Sequence, residues 1–365
     1  MRATIRADHV GSLLRPEPLL RAREARAAGT LSAEALREEE DRAILVALAR
    51  QRDAGLPVFT DGEFRRASWI TDMAAAVDGF VPRSRVIDWQ GPGGGPEAST
   101  SQVVGASLRP RRRLTGEETP FLREHAPGPV KMTVPAPSNF YLVSWTAGVS
   151  DAAYASREEM LADVVAIVRA EIEALIADGV AYVQLDAPFY CLFLGERERA
   201  RLRDAGLDPD RALREAIAAD HACVDGLARD GLTLALHVCR GNSRSRWMAE
   251  GGLDPIAEPL LGGVGVDTFL LEYDRPTSGD FGPLRHLPAG RTAVLGLVTT
   301  KRPDLEPRDE LARRVEEAAA HAPLDQLALS PQCGFASIAA GNLLTEDDQW
   351  RKLELVVETA RTIWR

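Results

Sequence analysis

The chain of 365 residues has only four cysteines, Cys191, Cys223, Cys239 and Cys333. So few exclude a disulfide-held scaffold, and each thiol is then a buried hydrophobe, a metal ligand or a nucleophile. No stretch comes near the ~18 consecutive apolar residues of a membrane helix. The N-terminal MRATIRADHV carries charges where a signal peptide needs an apolar stretch. These absences lead us to expect a cytoplasmic protein with no membrane partner. Basic charge is also in short supply: 44 Lys and Arg stand against 54 Asp and Glu, a formal net charge of −10. That balance argues against nucleic acid, whose phosphates demand clustered cations. The local run Arg109, Arg111, Arg112 and Arg113 beside Pro110 reads as a solvated turn. A dinucleotide fingerprint is missing as well. No GxGxxG follows the first expected strand, and GPGGGP at Gly91 to Pro96 is flanked by proline rather than a helix, so it reads as a loop tip.

What the sequence does have is alternation. Short apolar runs predict buried parallel strands at Thr4 to Val10, Leu56 to Thr60, Val130 to Val134, Val180 to Leu185, Leu232 to His237, Asp267 to Glu272, Ala293 to Val298 and Gln326 to Leu329. Helical spacing lies between them. Glu34 to Ala54 follows Ser32 as a cap. Arg157 to Asp178 follows Ser156, with Glu159 completing a capping-box pattern and Gly179 as the stop. Further helices are expected over Asp208 to Leu227, Arg308 to Ala320 and Thr345 to Ile363. Eight strands with intervening helices predict an α/β fold, a (β/α)8 TIM barrel spanning residues 1–365 as one domain. The segment from about Asp78 to Gly128 exceeds one βα unit. Val81 to Trp89 and Ser101 to Leu114 are expected to pair there as a protruding hairpin.

In a barrel, the C-terminal strand ends share one rim. His237 and Cys239 are two apart on an extended segment, so both side chains point the same way. Glu272 ends the next strand and Cys333 follows the eighth. Taken alone, an HxC pair is more often packing than ligation. All four candidates lie at strand ends, however, and two sulfurs, one nitrogen and one carboxylate suit tetrahedral zinc. Cys191, in the apolar run FYCLFL, and Cys223, inside an expected helix, read as core. Asp61 and Glu63 flank Gly62 in a turn, and Asp186 ends an apolar strand, where an acid must be paired or ligand-bound if buried.

The motifs HVGSLLRP, TDGEFRR, VQLDAP, LHVCRGN, LEYD and LSPQCGFAS, read together, resemble the catalytic C-terminal half of cobalamin-independent methionine synthase. The likeness is greatest to shorter, single-barrel relatives and covers Arg6 to about Trp350. It implies a zinc-dependent methyltransferase that converts homocysteine to methionine. His237, Cys239, Glu272 and Cys333 match the family's zinc ligands. Ser12, Glu63 and Asp186 match its homocysteine-binding positions, the acids for the amino group and Ser12 for the carboxylate. Lys301 stands where the full-length enzyme has a histidine thought to help protonate the leaving group. Asn139, Tyr141 and Trp145 match the donor-pocket region loosely. The methyl donor is expected to be of the 5-methyltetrahydrofolate type or another, because this chain lacks the N-terminal barrel. The alternative is alkylation of another small thiol, resembling epoxyalkane:coenzyme M transferase. A sulfonate thiol would need extra cations, for which Arg15, Arg65, Arg66 and Arg240 are the candidates.

Overall fold

The structure is a computed structural model that describes residues 5–228 and 230–364, with the side chains of residues 71 and 72 excepted. The start of the first expected strand, Thr4, lies outside the described residues. A hairpin of β1 (Val77–Trp89) and β2 (Gly95–Pro110) precedes six parallel strands. These are β3 (Lys131–Pro135), β4 (Tyr182–Asp186), β5 (Thr233–Val238), β6 (Thr268–Glu272), β7 (Thr292–Val298) and β8 (Leu327–Pro331), hydrogen-bonded in sequence order. Residues 5–10 and 56–60 fill the gap between β8 and β3. Ala7 bridges Leu329 of β8 and Phe59 bridges Val130 beside β3, both in parallel sense. The two segments meet through side chains. His9 Nε2 lies 3.2 Å from the Val58 carbonyl, and Thr60 Oγ1 donates to the Gly11 carbonyl at 2.8 Å. The ring therefore passes through eight chain positions, the (β/α)8 arrangement with a hairpin inserted.

Residue alternation explains why these segments are strands. Val10, Val58, Tyr182, Ala235, Leu270, Val294 and Ala328 form one buried cluster inside the ring. Their neighbours one residue along, such as Val183, Leu234, Phe269, Leu295 and Leu329, belong to a second cluster shared with the helices. Both faces are buried, so the strands read as near-continuous apolar runs. At the remaining inward position stands Lys131 of β3, with no exposure. Its ammonium donates to Asp8 Oδ1 at 2.9 Å and to the His9 carbonyl at 2.6 Å, while Tyr182 donates to Asp8 Oδ2 at 2.7 Å. A buried charge needs such company. Burial pushes His9 beside it down to about 4.

The helices begin and end where local chemistry directs. Ser32, Ser156 and Asp208 each accept from the backbone N–H three residues on, and Thr345 with Asp348 forms a reciprocal capping box. The expected box at Ser156 differs in its return bond, which runs from the Ala155 N–H to Glu159 at 2.9 Å. The third expected helix is shorter, Pro209–Ala222, and leaves Cys223 buried at its C-cap. Lys352, on the last helix, is also fully buried and bonds Glu306 at 3.3 Å and the Asp304 carbonyl. Arg113 is not a solvated turn residue. It pairs with Glu171 at 3.0 Å and Asp178 at 2.7 Å.

The hairpin folds across the mouth of the barrel. Gln90 and Trp247 exchange two backbone hydrogen bonds, at 2.7 and 3.2 Å. The Val104 N–H donates to the Ser144 carbonyl at 2.8 Å. Asp88 pairs with Arg197 and Arg201 on the outer side. The turn at the tip is exposed over residues 91–94, with Gly95 and Pro96 already in β2, but its first residue is seated against Trp247. Gly91 adopts φ +93°, and a Cβ there would meet the Trp247 ring at 2.3 Å, so only glycine fits. Among the described residues no helix is long and apolar enough to cross a membrane.

Candidate metal and substrate site

The inward faces of β4 and β5 continue past the apolar layer. Inside β4 the order is Tyr182, Gln184, Asp186, and inside β5 it is Ala235, His237, followed by Cys239. Asp186 is the register partner of His237. Cys333 arrives from the turn after β8. The ligand atoms of His237, Cys239 and Cys333 all lie within 4.8 Å of one another, and all three residues are buried. Neither ring nitrogen of His237 has a hydrogen-bond partner. A buried imidazole with both nitrogens unbonded beside two thiols fits a metal-ligand role, and the S, S, N donor set suits a soft-to-borderline ion.

Electrostatics tie the three together. Cys239 facing it, together with His237, holds the Cys333 thiol well below its usual value, while its contact with Cys333 pushes Cys239 up. Burial opposes charge on His237, but Cys333 and Asp186 hold its pKa above the ordinary value. Cys333 is thus the member of the set held toward its thiolate form.

Glu272, the fourth expected ligand, stands outside this group. Its Oε2 accepts from the Arg240 N–H at 2.8 Å and from Gln332 at 3.2 Å, and Oε1 accepts from Arg275 at 2.8 Å. Burial would raise its pKa, but Lys301, Arg240 and Arg275 hold it well below the usual range. Lys301 faces the same carboxylate, with Nζ 3.5 Å from Glu272 and 3.6 Å from Asp274. The expected proton donor thus points at two carboxylates and is not part of the cavity wall.

Above the three ligands lies a cavity of about 290 Å³. Ser12, Glu63 and Asp186 join His237, Cys239 and Cys333 in its lining. Ser12 lies against Gly334, where a Cβ would come within 1.9 Å of its Oγ. Glu63 has φ +58°, an uncommon conformation for a residue with a side chain. The turn is held by Asp61 accepting from the Glu63 N–H at 2.9 Å and by Arg15 donating to the Glu63 carbonyl at 2.7 Å. One Glu63 oxygen accepts from Thr133 at 3.0 Å, and the other is buried with no partner. Gln184 donates to Asp186 at 2.7 Å, yet burial still pushes Asp186 up to about 7. Burial, with Glu118 nearby, pushes Asp61 up to about 6.

Sequence reasoning missed the roof. Arg85, Ile87 and Trp89 of β1 and Glu97, Ser99 and Ser101 of β2 line the cavity from the hairpin. The period of two in Arg85, Ile87 and Trp89 was the available signal. Trp69, Phe80, Phe140 and Phe189 complete an aromatic upper half. Of the loosely matched donor positions, Asn139, Tyr141 and Trp145 do not line it. Their neighbours Phe140, Val143 and Ser144 do, because the short helix Pro137–Val143 turns that side inward. Asn139 instead donates to the Asp186 carbonyl at 2.7 Å. The four arginines considered for a sulfonate are spent on the protein. Arg15 bonds the Glu63 and Ala336 carbonyls, Arg65 pairs with Asp41, Arg66 pairs with Glu118 at 2.6 Å, and Arg240 bonds the Gly251, Glu272 and Ser278 carbonyls. Cys191 and Cys223 are buried with raised pKa values, as core thiols should be.

Comparison with known proteins agrees with this geometry. Residues 6–361 match the family model described as cobalamin-independent synthase, catalytic domain. The Bacillus subtilis protein YxjH is 38% identical over 100% of this chain and 96% of its own. A methionine synthase of Pyrococcus abyssi is 24% identical over 97% of this chain and 91% of its own. A crystal structure of a putative vitamin-B12 independent methionine synthase from Listeria monocytogenes superposes with a TM-score of 0.77 at 28% identity, covering 100% of this chain and 99% of that one. The chain belongs to the cobalamin-independent methionine synthase family, whose members are methyltransferases.

Proposed function

We propose that the protein transfers a methyl group to the thiol of homocysteine, giving methionine, with zinc held by His237, Cys239 and Cys333. One observation carries the reading. Three ligand atoms within 4.8 Å of one another form the floor of a cavity that also exposes Ser12, Glu63 and Asp186. Glu272 is the carboxylate available to complete the set, once Lys301 and Arg275 give it up. Zinc, when bound, keeps a coordinated thiol as the nucleophilic thiolate at neutral pH.

The chain's own residues supply the rest. Glu63 and Asp186 attract the ammonium of the amino acid, and Ser12 with neighbouring backbone takes its carboxylate. Such anchoring fixes the sulfur's position and so lowers the entropic cost of reaction. Trp69, Trp89, Phe140 and Phe189 exclude water and offer faces to a flat donor, which favours a methyl carrier of the 5-methyltetrahydrofolate type. Lys301 is assigned a positioning role, because its ammonium neutralises Glu272 and Asp274 instead of facing the cavity. The sulfonate-thiol alternative loses the four arginines it would need.

The test is direct. Zinc-loaded protein is incubated with homocysteine and, in turn, methylfolates, methylcobalamin, S-methylmethionine and an epoxide. Methionine should form with at least one methyl donor. Formation of none, with about one zinc per chain present, would overturn the reading.

A further inference from the structure

The hairpin roof presents one cation to the cavity. Arg85 occupies an inward position of β1, opposite Ser99 on β2 and two residues before Ile87. An apolar side chain would be the ordinary occupant of such a position. Among the described residues Arg85 makes no hydrogen bond and no ion pair. Its guanidinium sits over the Phe189 ring, 6.0 Å from the centroid. Burial alone lowers its pKa, and no neighbouring carboxylate offsets the effect. The other nearby charges are already committed: Glu97 to Arg246, and Asp88 to Arg197 and Arg201. A partly buried, unpaired guanidinium that opens onto a cavity is placed to receive an anion that a ligand supplies.

The cavity is divided by charge. Its floor carries the carboxylates Glu63 and Asp186 with the two thiols, and its roof carries Arg85 above the aromatic walls. The floor suits an ammonium-bearing thiol. We propose that Arg85 is the specificity-determining residue for the methyl donor, binding a carboxylate carried by that donor while its ring stacks on the aromatic walls. The inference rests on the methyltransferase reading above, and it assigns the anion to the donor rather than to the amino acid.

Binding measurements separate the two ideas, because they need no turnover. The zinc-loaded protein is titrated calorimetrically with pteroylglutamate, which bears a dicarboxylate tail, and with 6-methylpterin, which has the ring alone. Wild type should prefer pteroylglutamate by about 10- to 100-fold. Arg85→Gln should abolish that preference, and Arg85→Lys should restore part of it. Homocysteine binding and zinc content should stay unchanged. Arg83→Gln, an exposed arginine of the same strand that lies outside the cavity lining, serves as the control and should match wild type. Equal pteroylglutamate affinity in wild type and Arg85→Gln, or binding of neither probe by wild type, overturns the inference. So does a selective loss of homocysteine or 2-mercaptoethanesulfonate affinity in Arg85→Gln, which would place the anion on the thiol. If the preference depends on Arg85 while no donor yields methionine, the donor site stands and the methyltransferase reading falls.

Discussion

The ammonium of Lys301 lies 3.5 Å from Oε1 of Glu272, and both side chains are nearly sealed from solvent, at 6 and 0% exposure. Removing one member of a buried ion pair strands the other charge. Lys301→Met should therefore destabilise the protein by about 3 kcal/mol, the lower end for such pairs because Arg275 still faces Glu272. Urea unfolding with a linear extrapolation reads this directly. An unchanged midpoint would mean that Lys301 has a role other than charge balance.

Cys239→Ser and Cys333→Ser each remove one sulfur from the three-ligand group. Zinc measured by mass spectrometry should fall from about one per chain to background, since a hydroxyl is a far poorer zinc ligand than a thiolate. Thiol methylation should vanish with it. Full activity in a metal-free Cys239→Ser protein would sink the zinc mechanism.

Asp186→Asn makes two predictions with opposite signs. The KM for homocysteine should rise about ten-fold or more as a charged contact is lost, with zinc retained. Loss of zinc instead would show that Asp186 serves the metal. Stability should move the other way. Burial raises the folded-state pKa from 3.8 to about 7. A carboxyl so raised favours the folded state below its ordinary value, and that benefit disappears as pH climbs through about 7. Asparagine has no such penalty and can still accept from Gln184. Metal-free Asp186→Asn should therefore match wild type near pH 4 and exceed it at pH 8, by at most about 4 kcal/mol. Parallel urea curves at the two pH values decide.

The roof can be loosened without touching the floor. Gly91→Val would drive a side chain into the Trp247 ring and force a φ that valine avoids. The KM for the methyl donor should rise several-fold, while zinc content and the KM for homocysteine stay put. An equal rise in both constants would mean that the hairpin supports the whole cavity.

Much of this architecture was legible. The eight strands appeared as apolar runs because a parallel barrel buries both faces of each strand, and their ends delivered His237, Cys239 and Cys333 to one rim by simple alternation. The hairpin was also visible as two pairing segments. Its role was not, because nothing local to Arg85 or Trp89 says which way an insertion folds. That depends on a distant docking partner, Trp247. Lys301 shows the same limit from the other side. Its strand end was correct, but the direction of its long side chain was decided by Glu272 and Asp274, two carboxylates from the neighbouring strand's end. The Asn139 region failed by one helical step, since a helix of seven residues gives too little periodicity to tell which face is inward.

The chain has three lysines, and each has been met in the interior: Lys131 against Asp8, Lys301 against Glu272 and Asp274, Lys352 against Glu306. None has a side chain more than 6% exposed. All the other basic side chains but the histidines are arginines, so the outer surface offers no ε-amine. Amine-reactive esters should leave those three positions unmodified on the folded protein and take all of them after denaturation. Label located on those lysines is then a built-in meter of unfolding, one that reads the barrel interior and the rim in the same experiment.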